Sequence, residues 1–244
     1  VTGITTIAVS DTTIDATILA TAIDSVDTIN GAATTNMTLA SGAIINVDAD
    51  EVAAMLADET AGRLTITDQK ITVTNPITVA TANQLTATTS GVVTGTIASP
   101  ESIAELSTLS ANGDNLTIII PDASVNADQI LTLATATTAI VDATAVTSIS
   151  GTANQLDTLY ATTGITGLGN EALSISDEIS VAQANVLDAL TTGTVTASIT
   201  TTETVDSLAT LTGTNAYTIV IAAADATGST ADEFNTINAA TSVA

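Results

Sequence analysis

A cluster of carboxylates is the first feature of the sequence that could do chemistry. Asp48, Asp50 and Glu51 crowd together in the segment VDADE. Carboxylate oxygens are the hard ligands that Ca²⁺ prefers, so the segment is a candidate calcium site. No glycine-bearing loop encloses the three residues, however, and a helical pattern follows them. We therefore expect these acids to favour the start of a helix, and we assign no metal to them.

Pairs of threonine separated by one residue are the second feature. Alternate residues of a strand face the same side of a sheet, so each pair would present two hydroxyls outward. A flat lattice of hydroxyls could order water and bind ice or a glycan. Threonine is also a common solvent-facing strand residue, and we adopt this simpler interpretation. The pairs are Thr65/Thr67, Thr72/Thr74, Thr94/Thr96 and Thr194/Thr196, and the neighbours expected to point inward are Val93, Ile97, Val195 and Ile199.

The two cations of the chain, Arg63 and Lys70, flank one predicted strand segment. They could mark a contact, but isolated cations on an acidic surface are usually solvated or loosely paired. The chain has no His and no Cys, which excludes nucleophile pairs built on imidazole or thiol and the common zinc sites. Carboxylate pairs alone can hydrolyse glycosides, but no pair stands out. We predict that the protein is not an enzyme, and we assign no catalytic, cofactor-binding or metal-binding residue and no cofactor.

Composition narrows the possible partners. Against two cations, the 26 acidic residues give a net charge of -24, which repels nucleic acid and anionic membranes. No apolar run reaches the roughly 18 residues of a membrane span, so we expect no membrane insertion. The hydrophobic fraction of 45% is unlike that of a disordered chain. We expect a folded protein whose polar surface is carried by Thr, Ser and Asn, since threonine alone supplies 52 of the 244 residues.

The elements that would position these residues recur along the chain. Shifting Ala172–Gly193 back by 102 positions places it on Lys70–Gly91, with apolar on apolar and Ser or Thr on Ser or Thr almost throughout. The match continues from TETVDSLATL at Thr202 onto PESIAELSTL at Pro100. These matches predict a super-repeat of about 102 residues. We expect one continuous array rather than separate domains, with a partial copy in 1–69, a full copy in 70–171 and a partial copy in 172–244.

One strand pattern and one helix pattern alternate about every 22 to 25 residues. Asn126 with Gln129 and Thr230 with Glu233 have capping-box spacing, and Ser99 before Pro100 is typical of a helix start. Predicted helices are Ile14–Ile29, Asp50–Thr60, Val79–Thr88, Glu101–Leu109, Asn126–Thr135 and Asn154–Ala161. Predicted strands are Ile4–Val9, Met37–Ala40, Leu64–Thr67, Ile71–Thr74, Val92–Ala98, Leu116–Ile120, Ala139–Asp142, Thr194–Thr200 and Tyr217–Ile221, with a weak one near Leu173.

Uniform strand–helix–strand connections indicate parallel strands in a right-handed coil. A period of 20 to 50 residues is typical of solenoids, in which stacked units share one core. We therefore predict an α/β fold, a right-handed solenoid of stacked strand–helix units with a single parallel sheet and an opposite wall of helices. Tandem β-sandwiches of about 100 residues are the alternative, because the high Thr and Val content also suits strands.

The segments VLDALTTGTVTASITTTETVDSLATLTGTNAYTIVI and TADEFNTINAATSVA resemble the repeats of giant Thr/Ala-rich surface or secreted proteins of bacteria, of the marine cyanobacterial type. The resemblance implies an extracellular or cell-surface location and a structural, adhesive or filament-forming role. The glycine-rich nonapeptide of calcium-binding secreted repeats is absent from the sequence, so metal-dependent folding is not part of the expectation.

We accordingly predict a structural repeat module of an extracellular or cell-surface protein, either a filament-forming or an adhesive scaffold. Its expected partners are copies of itself or neighbouring repeats of the same chain, and a glycan or another surface ligand is possible. The alternative is a binding module that uses its Thr-rich strand face for glycan or ice. Because the repeat is already under way at Val1 and stops within a cycle at Ser242–Ala244, we also expect a longer parent chain or end-to-end stacking.

Overall fold

The computed structural model describes residues 5–30, 35–110 and 113–242. The chain forms two compact units, the first made of residues 1–119 and 135–140 and the second of residues 120–134 and 141–244. Short helices and strands alternate in both, and the strand pairs described within each unit are parallel. The predicted α/β class is therefore confirmed. The β-sandwich alternative is wrong, because it required the helical stripes to be strands.

The first unit contains eight described strands in two parallel sheets. The strands are β1 (Thr6–Val9), β2 (Thr13–Asp15), β3 (Asn36–Leu39), β4 (Ile44–Val47), β5 (Leu64–Thr65), β6 (Lys70–Val73), β7 (Val93–Thr96) and β8 (Asn115–Ile119). One sheet has the order β1-β3-β5, and the other runs β2-β4-β6-β7-β8. The helices are α1 (Ala16–Asn30), α2 (Val52–Thr60), α3 (Val79–Thr88) and α4 (Ile103–Leu106). The predicted strand start at Ile4 lies outside the described residues.

The second unit contains a five-stranded parallel sheet and the strand pair of β10 (Val141–Asp142) with β12 (Ile165–Thr166). Its strands are β9 (Ser124–Asn126), β10 (Val141–Asp142), β11 (Ser148–Gly151), β12 (Ile165–Thr166), β13 (Ala172–Ile179), β14 (Val195–Ile199) and β15 (Ala216–Thr218). The five-stranded order is β9-β11-β13-β14-β15, while β10 pairs with β12. Its helices are α5 (Ala127–Ala136), of which residues 127–134 belong to this unit, α6 (Ala153–Ala161), α7 (Val181–Leu190), α8 (Val205–Leu208) and α9 (Ala231–Ala240).

The prediction of a single sheet is wrong for the first unit, and the turn between β3 and β4 shows why. Gly42 has φ of 67°, a left-handed conformation that other residues rarely adopt. The turn divides one extended stretch into two short strands, which join different sheets. A glycine at such a position predicts a loop, but it does not predict that the segments before and after the turn are both strands.

The core of each unit follows the two expected periodicities. In β6, Ile71 is 0% exposed and Val73 is 5% exposed, while Thr72 between them faces outward and is half-buried. On the helices, alanine and larger apolar residues at helical spacing face the core, as Ala82 and Leu85 of α3 do. Helices of ten residues or fewer do not hold in isolation, so this burial against strands is what stabilises them.

Serine and threonine begin six of the described helices. Four starts are full capping boxes, including Thr230 with Glu233, as predicted. The predicted box at Asn126 forms only in part, because the Asn126 N–H donates to Gln129 Oε1 while the Asn126 side chain accepts from Asp128. The prediction of a helix start at Ser99–Pro100 is wrong, since Ser102 caps α4 and the helix begins at Ile103.

Candidate functional site

The three candidate calcium ligands lie in the turn between β4 and α2. Asp48 Oδ2 accepts from Asn75 Nδ2 at 2.6 Å and from Thr74 Oγ1 at 3.3 Å. Glu51 occupies the N-cap position of α2; its Oε2 accepts from the Asp48 N–H at 3.2 Å and its Oε1 accepts from Thr17. The carboxylates of Asp48 and Glu51 thus accept hydrogen bonds from groups of the chain itself. Across the described part of the chain, no group of three or more Asp, Glu, His or Cys side chains could hold a metal ion.

The four threonine pairs do not all fall within strands. Thr94 and Thr96 both lie in β7, whereas each other pair has one member outside its strand. The inward prediction is confirmed, since Val93, Ile97, Val195 and Ile199 are all 3% exposed or less.

Strand register assembles a line of polar side chains that the pairs alone did not indicate. Asp15 pairs with Asn46, Asn46 with Thr72, Thr72 with Thr94, and Thr94 with Asn115. We call these five residues the polar row. Neighbours in it stand on adjacent strands about 4.8 Å apart. Asp15 and Asn115 are exposed and the three middle residues are half-buried. A shorter parallel line is formed by Thr96 and Thr117.

The second unit has a comparable line, formed by Asn126, Ser150, Ser174, Thr196 and Ala216. Both lines offer hydroxyl and amide groups that can donate and accept hydrogen bonds.

Arg63 lies among three carboxylates instead of standing isolated. Its Nη2 is 2.6 Å from Asp24 Oδ1, and its Nε is 3.1 Å from Asp27 Oδ2 and 3.4 Å from Asp58 Oδ1. The Nε is close enough for ion pairing but is not aligned for a hydrogen bond, and Asp27 Oδ1 is also buried without a partner. Burial, with a contribution from Asp24 and Asp27, raises the pKa of the Asp58 carboxyl despite the opposing effect of Arg63. The Asp24 hydrogen bond raises the pKa of Arg63.

Lys70, the other cation, lies at the start of β6. The residue pairs in backbone register with Ile44 of β4, and its side chain is exposed. No ion pair involving Lys70 is present within the described ranges. The structure therefore separates the two cations into one that organises acidic side chains and one that faces solvent.

Asparagine side chains join segments that are 25 to 27 residues apart in sequence. Asn83 Nδ2 donates to the Thr108 carbonyl at 2.9 Å, and its Oδ1 accepts from the Ser110 N–H at 2.9 Å. Asn185 makes the same two bonds with Thr210 and Thr212, both at 2.9 Å. We call this two-bond arrangement the asparagine clasp. Its two copies are 102 residues apart.

Buried threonines make a second set of such interactions, which we call the threonine staples. Thr89 Oγ1 donates to the Gln69 carbonyl at 2.6 Å and accepts from the Gly91 N–H at 2.9 Å. Thr191 does the same with Glu171 and Gly193, at 2.6 and 2.9 Å. Glycine is required after each staple because a Cβ on Gly91 or Gly193 would collide with those carbonyl groups. The sequence pattern does not indicate the staples, because threonine is typical of solvent-facing strand positions.

A buried carboxylate in the second unit accompanies one staple. Glu171 is 0% exposed; its oxygens accept from the Tyr160 hydroxyl and from the N–H groups of Gly169 and Asn170. Gln69 stands 102 residues earlier, and its Oε1 accepts from the Thr67 N–H at 2.7 Å. The same turn is thus held by an acid in one unit and by its amide in the other.

The chain matches no protein-family model, no curated protein and no solved structure. Within the described residues, no helix is long and apolar enough to cross a membrane.

Proposed function

We propose that the protein is a structural repeat module of an extracellular or cell-surface protein. In this proposal the strand–helix turns stack as a right-handed parallel solenoid and serve as a filament-forming or adhesive scaffold. The observation that carries it is the recurrence, at a spacing of 102 residues, of the asparagine clasp, the threonine staples and the bounds of the helices. Helix α3 corresponds to α7 and α4 to α8 at both ends.

The chemistry of these contacts supports a scaffold rather than a reactive site. Clasps and staples satisfy backbone groups of the neighbouring turn, so the buried polar side chains are used to hold turns together. In a stacked array each turn interacts mainly with its neighbours, and copies can be added without a new type of contact. The absence of Cys from the sequence suits a location outside the cell, where stability does not then depend on redox state.

A length series tests the stacking. One chain would carry a second copy of residues 70–171 and another would carry two further copies. If each copy adds four strands at about 4.8 Å, the maximum dimension from small-angle X-ray scattering should rise by about 19 Å per copy. An increase that follows the cube root of mass would show compact folding and contradict the solenoid. Electron microscopy of native material would then separate a filament from single molecules.

The polar row favours a second candidate, a binding module for glycan or ice. Five adjacent strands bring their side chains into one line, which is the geometry that a repeating polar surface could recognise. The low aromatic content of 1% weighs against an ordinary sugar pocket. A glycan array and an ice-affinity assay, each with Thr72→Val/Thr94→Val as the control variant, separate this candidate from the scaffold.

A further inference from the structure

A cleft between α1 and α2 of the first unit is not used by the proposed scaffold. Its volume is about 170 Å³. The floor is apolar and comprises Leu19, Ile23, Met55 and Leu64, each 4% exposed or less. Carboxylates line the same cleft, namely Asp24, Glu51 and Asp58. The site therefore combines an apolar floor with a negative rim.

The negative charge at one end of the cleft is only partly neutralised. Asp24 and Asp58 line the cleft and share the single guanidinium of Arg63 with Asp27, which is not a lining residue. The group of four side chains has a formal excess of two negative charges. A further cation with hydrogen-bond donors would complement the rim.

We propose that this cleft binds a small primary alkylammonium ion. The ammonium group donates hydrogen bonds to the carboxylates of Asp24 and Asp58, and the alkyl chain lies on Leu19 and Met55. The proposal goes beyond the scaffold function and does not depend on it.

Size and chemistry select this class of ligand. Pockets for drug-sized ligands measure roughly 300–1,000 Å³, so this cleft suits a ligand of only a few heavy atoms. Metal ions such as Ca²⁺ require six to eight oxygen ligands, which an apolar floor does not supply. Quaternary ammonium groups are recognised by aromatic cages, and no aromatic residue lines the cleft.

A groove between α6 and α7 in the second unit provides an internal comparison. Its volume is about 220 Å³. The exposed Ala182 lines this groove, as the exposed Ala54 lines the cleft between α1 and α2. A single carboxylate, Asp157, lines it. If apolar contact alone sufficed, both sites would bind alkyl groups. If the negative rim is needed, only the cleft between α1 and α2 will bind the ammonium ion.

The two methionines of the chain allow a direct test. Met55 lines the cleft, whereas Met37 is buried in β3. With ¹³C-methyl-labelled methionine, titration of n-butylammonium chloride at pH 7 and low salt should shift the Met55 methyl resonance and leave that of Met37 unchanged. Butan-1-ol and tetramethylammonium chloride should shift neither. Equal shifts with butan-1-ol, or no shift of Met55 with n-butylammonium, would overturn the proposal.

Variants locate the binding within the cleft. Asp58→Asn should weaken binding about tenfold, as expected for the loss of one charge-assisted hydrogen bond. Ala54→Leu, at an exposed position lining the cleft, should abolish the shift by filling the space, and the matched Ala182→Leu should leave it unchanged. Unaltered binding in both Asp58→Asn and Ala54→Leu would overturn the assignment. Because the Met55 titration uses the unmodified chain, the test stands even if a variant fails to fold.

Discussion

The side chain of Asn215 accepts a hydrogen bond from the backbone N–H of Val195, with 2.8 Å between Oδ1 and N. Its Nδ2 group donates to Asp188 Oδ1 at 2.7 Å, and the side chain is buried. In the first unit, Asp114 accepts from the Val93 N–H at 2.8 Å. There the second partner is the hydroxyl of Thr86, which donates to Asp114 Oδ2 at 2.6 Å. In the second unit the residue that caps the strand N–H, Asn215, donates to Asp188. In the first unit the corresponding residue, Asp114, accepts from Thr86, so donor and acceptor are exchanged.

This reversal predicts a specific coupling between positions 188 and 215. Asn215→Asp would place a buried carboxylate against the half-buried carboxylate of Asp188, so we expect it to lower the free energy of unfolding at pH 7 by about 2 kcal/mol. Adding Asp188→Thr recreates the pair of the first unit and should restore most of the loss. Urea unfolding of the two single variants and the double variant measures the coupling. Additive effects would show that the two side chains do not form a unit.

The two faces of β14 should tolerate charge differently. Ile199 is 3% exposed, whereas the side chain of Thr196 is on the opposite, solvent-exposed face of the strand. Ile199→Asp buries an unpaired carboxylate and should cost several kcal/mol, roughly 3 to 5. Thr196→Asp should change stability by less than about 0.5 kcal/mol. Thermal melts of both variants check this, and similar melting temperatures would mean that the faces are assigned wrongly.

Replacing Arg63 should make stability depend on pH. In Arg63→Gln, Asp24, Asp27 and Asp58 lose their shared cation, so the pKa of Asp58, already raised, should rise further. A carboxyl whose folded-state pKa is raised contributes stability below its unfolded pKa and loses it as the pH increases. We expect a loss on the order of 1 kcal/mol at pH 7 that shrinks towards pH 4.

Lys70→Gln is the matched control, because it removes one positive charge from an exposed side chain with no ion pair in the described ranges. Calorimetric melts at both pH values should distinguish the two variants. A deficit in Arg63→Gln that stays constant between pH 4 and 7 would contradict the electrostatic explanation.

Tyr217 should make the second unit sensitive to alkali. Burial, followed by the charge of Asp188, raises the pKa of its phenol to about 12. The unfolded chain has the ordinary value near 10, so the folded state holds this proton more tightly. The associated stability is complete below about pH 10 and is lost between about pH 10 and 12, amounting to roughly 3 kcal/mol at most.

Tyr217→Phe keeps the buried ring and removes the titrating group. The hydrogen bond that the Tyr217 hydroxyl donates to the Ala184 carbonyl is long, at 3.4 Å. Because losing a long hydrogen bond costs little, the variant should be close to the parent chain in stability at pH 7. Circular dichroism melts from pH 8 to 12 should show a smaller alkaline loss in the variant. Identical pH profiles would mean that another group causes the loss.

Local sequence patterns determined the order and type of most elements. Apolar residues at helical spacing correctly predicted α3 at Val79–Thr88, and alternation correctly assigned the inward residues of β7 and β14. These features depend on residues a few positions apart, which share one helix stripe or one strand face. The weak strand near Leu173 is the counterexample. It is the eight-residue β13, and its register shifts between Ser174 and Glu178, which breaks the alternation.

Only the tertiary structure decided which distant residues meet. The polar row required the register of five strands, and its asparagines at positions 46 and 115 have no threonine-pair signal. The carboxylates around Arg63 come from α1 and α2, up to 39 residues away in sequence. Threonines 89 and 191 are buried because their hydroxyls bond to a carbonyl 20 residues earlier. Composition and local periodicity do not predict such pairings, since these depend on the register of the strands and on the packing of elements that are distant in sequence.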